Sequence, residues 1–155
     1  MKINFKRLII FFAITFAVGG LSALITMGSM DMYDMVVKPA LAPPPILFPI
    51  VWTILYALMA IGAYIISVSD CENKASALTS YFVQLGLNFI WPIIFFKLQA
   101  FLVAFVWLVF LWIAIFDMIR KFRTCSKTAA YLQIPYLLWV TFAGYLNLMI
   151  YILNR

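Results

Sequence analysis

Three sets of residues in this chain have side chains and spacing suited to holding a ligand. Trp52, Tyr56 and Met59 stand four and three apart, Gln84, Asn88, Trp91 and Phe95 repeat that spacing, and Trp139, Ala143, Leu146 and Asn147 form a third stripe. On a helix each set shares one face. Indole rings offer a flat apolar ligand a stacking surface, and a bulky ring one turn before a small residue, as in Trp139 and Ala143, makes a notch. An amide in an apolar setting must find a partner on another helix or on a ligand, because leaving it unpaired costs several kcal/mol. Aromatic core packing and hydrogen bonds between helices would use the same residues, and spacing alone does not separate the two uses.

The missing residues narrow the chemistry further. The chain has no histidine, and between its expected helix ends it holds no Asp, Glu, Lys or Arg apart from Asp117 at the foot of the fourth helix. Acid–base catalysis needs a group with a tunable pKa, and an ion-coupled carrier keeps an ionisable relay within the span. A serine or cysteine nucleophile would lack a base. No conventional catalytic residue is therefore assigned. Without histidine a metal lacks its commonest ligand, so no metal site is expected either.

The elements that carry these stripes are membrane spans. The 155 residues are 67% hydrophobic and 10% charged, too few polar groups to cover a water-facing surface. Five runs are free of charge and long enough to cross a hydrocarbon core of about 30 Å: 8–28, 40–69, 75–96, 98–116 and 128–154. They are apolar on every face, which suits helices and does not suit alternating barrel strands. The expected fold is an all-α integral membrane protein, a single domain bundling five transmembrane helices at about 7–28, 49–69, 77–96, 99–119 and 128–153. The first run is too long for the core of a cleaved signal and is taken as a retained helix. Its Gly19 and Ala23 form a small-xxx-small pair for close packing, within the chain or between two copies. Pro135 predicts a kink inside the fifth helix.

The loop at 29–48 is longer than most helix connections, rich in proline, and carries Asp31, Tyr33 and Asp34. It is read as a lid, with a rigid entry into the second helix as the plainer alternative. Charge sets the orientation. Lys2, Lys6, Arg7, Lys74, Arg120, Lys121, Arg123 and Lys127 fall at one end of the bundle, and Lys38, Lys97 and Arg155 at the other. The positive-inside rule then places the N-terminus in the cytoplasm. The basic balance reports topology, and no nucleic-acid partner is expected. Cys71 and Cys125 lie at that same end, where a reducing compartment predicts free thiols.

Three segments together resemble one known family. Residues 49–56 (Pro-Ile-Val-Trp-Thr-Ile-Leu-Tyr), 84–91 (Gln-Leu-Gly-Leu-Asn-Phe-Ile-Trp) and 135–147, with Pro135, Tyr136, Trp139, Phe142, Ala143, Leu146 and Asn147, are similar to helix motifs of the translocator proteins. This family is also called the tryptophan-rich sensory proteins, and formerly the peripheral benzodiazepine receptors. The blocks keep their order over about 100 residues, so the chain is identified as a member, and a bacterial one is expected.

The resemblance implies a ligand cavity capped by the first loop, and often a homodimer. It implies porphyrins such as protoporphyrin IX, sterols, and benzodiazepine-site drugs such as isoquinoline carboxamides as ligands. Carried over by position, Trp52, Asn88, Trp91, Trp139, Ala143, Leu146 and Asn147 would line the cavity, with Tyr33 in its cap. Animal members place a tyrosine directly after the Leu-Asn pair; here Leu148 stands there and Tyr151 comes later, which weakens the sterol expectation.

The expected function is a porphyrin-binding receptor or sensor in a bacterial cell membrane, with no obligatory cofactor. Any chemistry would be light-dependent porphyrin degradation, with the porphyrin as chromophore and Trp52 and Trp139 as redox partners. The alternatives are a transporter of porphyrins, sterols or other small lipids, and a packing subunit without a ligand.

Overall fold

The computed structural model describes residues 3–29 and 31–155; Lys2 and position 30 of the lid lie outside the described residues. The chain forms α1 (Phe5–Thr26), the short α2 (Asp31–Met35), α3 (Leu47–Val68), α4 (Lys74–Pro92), α5 (Phe101–Cys125), α6 (Lys127–Tyr131) and α7 (Ile134–Leu153). A π turn, Ile93–Lys97, extends α4, and α6 with α7 makes one interrupted span. Among the described residues, five helical spans are thus long and apolar enough to cross a membrane, as expected.

The bundle has an apolar core that also holds buried amides, and its outer surface is apolar as well. Gln84, Asn88, Gln133 and Asn147 are buried, while Ile9, Leu24, Ile54, Phe110 and Leu138 are each more than half exposed. Lipid satisfies such a surface and water does not. Helix α1 packs on α3 and α4, α4 on α5, and α5 on α7. Between α3 and α7 the backbones stay apart, and the rings of Phe48, Trp52, Tyr136 and Trp139 fill the seam. Gly19 lets Tyr56 of α3 lie directly on α1, since a Cβ there would collide with its ring. The small residue thus serves packing within the chain.

The ends differ from expectation in three places. Helix α5 runs to Cys125 rather than stopping near 119. Its charged last turns are helical because Asp117 and Lys121 pair across one turn at 2.7 Å and the Ser126 amide closes on the Phe122 carbonyl at 2.7 Å. At Pro135 the fifth span breaks rather than kinks, with α6 ending at Tyr131 and Pro135 opening the first turn of α7, where its missing N–H costs nothing. Gln133 sits in the break and donates to the carbonyls of Leu58, at 3.1 Å, and Ala129. Such side-chain repair is how a bilayer tolerates interrupted backbone.

The third difference corrects the expectation of free thiols. Cys71, in the turn after α3, and Cys125, at the end of α5, are joined as a disulfide with Cα atoms 5.4 Å apart. The free-thiol expectation came from the compartment; the bond comes from geometry, because the ends of α3 and α5 converge at the basic face.

Candidate ligand site

The site is built from the middle of the bundle outward. Asn88 on α4 links two phenols: its Oδ1 accepts from Tyr56 of α3 at 2.9 Å, and its Nδ2 donates to the Tyr136 oxygen of α7 at 2.9 Å. The Tyr136 hydroxyl in turn donates to Gln84 Oε1 at 2.8 Å. Three helices are joined through one buried chain of polar groups. Trp52 covers its open side, 5.4 Å from the Tyr56 ring and 6.2 Å from that of Tyr136, centroid to centroid. Asn88 and Gln84 thus find their partners on neighbouring helices.

A second cluster lies under the lid. Trp91 Nε1 donates to Asn147 Oδ1 at 3.2 Å, and Asn147 Nδ2 donates to the Phe101 carbonyl at 2.8 Å. Trp91 stacks on Phe95, and Leu146 is buried beside Asn147. Helix α2 carries Met32 and Tyr33 into this cluster, where Tyr33 meets Phe48 and Phe96 edge to face. The Lys38 ammonium lies 4.5 Å from the Tyr33 ring centroid and pairs with Asp34. Burial, with a smaller contribution from the Asp34 charge, pushes the Tyr33 phenol up from its usual value. Its hydroxyl is buried with no hydrogen-bond partner among the described residues.

The lid itself is fastened. Asn154, just past α7, accepts from the Val37 amide at 2.9 Å and donates to the Val37 carbonyl at 3.0 Å. This two-point clasp ties the lid to the opposite end of the chain.

An apolar groove of about 390 Å³ opens on the seam between α3 and α7, lined by Val51, Ile54, Leu55, Leu138, Trp139 and Phe142, with Pro135 at its foot. That volume lies in the range of small-molecule sites. Trp139 is the predicted site residue that lines it, its indole edge-to-face with Phe48 of the lid's end at 5.9 Å. Trp52 and Asn88 belong to the inner network behind it, Ala143 packs against the core, and Trp91, Leu146, Asn147 and Tyr33 form the cluster under the lid. Trp112 donates its indole N–H to Thr141 Oγ1 of α7 at 2.8 Å.

The sequence placed Tyr136 in the third motif without a site role, and it did not single out Phe48, Gln133 or Asn154. Tyr136 stands three residues before Trp139 on the same stripe, a signal that was there to read. Asn154 could not be found that way, because its partner lies 117 residues away.

The comparisons bear on this architecture. The TspO/MBR family pattern matches residues 11–153. The tryptophan-rich protein TspO of Archaeoglobus fulgidus is 38% identical over 152 residues, covering 97% of this chain and 99% of that one. Protein CrtK of Rhodobacter capsulatus is 34% identical over 94% of this chain and 91% of its own. The translocator protein of sheep, Ovis aries, is 34% identical over 74% of this chain and 70% of its own. With its five spans and buried aromatic network, the chain belongs to the TspO/MBR family of membrane sensor and translocator proteins.

Proposed function

We propose that this protein is a membrane receptor or sensor for a flat, apolar tetrapyrrole, protoporphyrin IX being the reference ligand, and for benzodiazepine-site drugs of the isoquinoline carboxamide kind. The observation that carries the reading is the groove between α3 and α7, walled by the Trp139 indole and open to the bilayer. Such a ligand partitions into lipid, so a lateral entrance suits it better than an aqueous one. Its rings would stack on Trp139 and reach toward Trp52 through the aromatic seam. The lid would set the depth of entry, with the unpartnered Tyr33 hydroxyl available to a ligand carboxylate or carbonyl.

Photosensitised degradation of the porphyrin, with Trp52 and Trp139 as redox partners, needs no acid–base residue, and the charged residues of the spans lie at their ends. The proposal also places the protein in a bacterial cell membrane with the basic end in the cytoplasm. A homodimer would have to use the exposed apolar faces, since Gly19 already receives Tyr56 within the chain. The open seam also favours a second reading, lipid-side exchange of porphyrins or other small lipids.

The test is a titration of the protein in nanodiscs with protoporphyrin IX in the dark, following the porphyrin absorbance against empty nanodiscs. Saturable binding near one porphyrin per chain is expected, and linear partition identical to empty discs would overturn the receptor reading. Flux into proteoliposomes beyond protein-free vesicles would move the reading to transport. Illumination of the complex tests degradation separately.

A further inference from the structure

A second groove, of about 340 Å³, lies on the other side of the molecule, between α4 and α5. Its deep part is apolar, walled by Val83, Phe110 and Ile113, each about half exposed or more. Its other end is polar and reaches the basic end of the bundle. There the Lys121 ammonium lies 2.7 Å from Asp117 Oδ2 and 2.9 Å from Ser80 Oγ, and the two acceptors are themselves 3.0 Å apart. An ammonium has three N–H groups. Two are committed, and the third has no partner among the described residues.

We propose that this groove is a binding site for one anionic phospholipid of the surrounding leaflet. Its acyl chain would lie along Val83, Phe110 and Ile113, and its phosphate would take the remaining donor of Lys121. The order of the lining argues for a lipid, since the apolar part is deep in the span and the charged part is at the headgroup level. Lysine suits that position because its stem follows apolar surface while its head stays at the interface. Charge argues for an anionic headgroup. Lys6, Arg7, Lys74, Arg120, Lys121, Arg123 and Lys127 gather at this end against Asp70, Glu72 and Asp117. Asp117 competes with the phosphate for Lys121, so it tunes affinity downward while holding the ammonium in place when the groove is unoccupied.

The test is native mass spectrometry of the delipidated full chain in detergent, titrated with phosphatidylglycerol or phosphatidylcholine of matched acyl chains. One phosphatidylglycerol should be retained tightly, and phosphatidylcholine, whose choline cation the basic end repels, at least about fivefold more weakly. Lys121→Gln should weaken phosphatidylglycerol about tenfold or more, as the loss of a charge-assisted bond does. Lys127→Gln removes the same charge at the same end but off the groove, and should cost no more than the roughly fivefold of diffuse attraction. Asp117→Asn frees the ammonium and should tighten phosphatidylglycerol. Ala114→Phe fills the groove wall with every charge kept and should weaken it. Each variant is first matched to wild type by thermal stability in the absence of lipid, so a loss from misfolding is recognised. Equal retention of the two lipids, equal effects of Lys121→Gln and Lys127→Gln, or weakening by Asp117→Asn would each overturn the site.

Discussion

Asn88 holds the two phenols of the inner network, and its removal shows which energy matters there. A single hydrogen bond between spans averages about 0.6 kcal/mol, because the chain in the bilayer finds other partners when it is lost. Orphaning a buried polar group costs more, about 1–3 kcal/mol. Asn88→Leu strands the Tyr56 hydroxyl and takes one of two bonds from Tyr136, which still donates to Gln84, so a loss of about 1–3 kcal/mol is expected in denaturant or thermal unfolding. A loss no greater than that of Tyr56→Phe alone would mean that the network relaxes around the gap. Tyr33→Phe should behave in the opposite way. Its hydroxyl is buried with no partner among the described residues, so its removal should raise stability, by up to about 1–3 kcal/mol. Protoporphyrin affinity should fall nonetheless, and unchanged affinity would remove Tyr33 from the proposed site.

The elements carry the closures that no single residue explains. Where α3 passes the break between α6 and α7, Gly62 lies against the Gln133 amide, and a Cβ there would displace it. Gly62→Ala should therefore destabilise by about 1–3 kcal/mol through overpacking and loss of the bond to Leu58. Gly20→Ala, whose Cβ meets nothing, should be neutral or stabilise by up to about 1 kcal/mol. The lid clasp is equally specific: Asn154→Leu should speed hydrogen exchange at the Val37 amide and across the loop, without lowering the melting temperature of the spans. The spans themselves were legible in the sequence, because charge-free length is a direct consequence of the bilayer. The seam between α3 and α7 and the clasp were not. They depend on which helices become neighbours, and periodicity within one helix carries no such information. The disulfide was hidden for the same reason, since the turn at Cys71 and the end of α5 meet only once the bundle forms.

On the scale of the whole molecule, orientation and the disulfide are linked. The chain-entropy model gives a bridge between residues 54 apart at most about 4 kcal/mol, and less here because the bilayer already restricts the unfolded chain. Reduction should therefore lower the melting temperature modestly without unfolding the bundle. If the basic end faces the cytoplasm, that compartment opens the bond. Maleimide labelling in intact cells should then find Cys71 and Cys125 reduced, and oxidised only after purification in air. Complete protection in cells would instead put the basic end on the oxidising side. The central claim is that a tetrapyrrole binds beside Trp139 in the seam between α3 and α7. Its most direct test is a dark titration with protoporphyrin IX, read by tryptophan fluorescence, for wild type, Trp139→Phe, Val51→Phe and Trp112→Phe. The account predicts saturable quenching that loses most of its amplitude in Trp139→Phe, shifts to weaker affinity when Val51→Phe fills the groove, and keeps its affinity in Trp112→Phe. Saturable quenching left unchanged by both groove variants would contradict it.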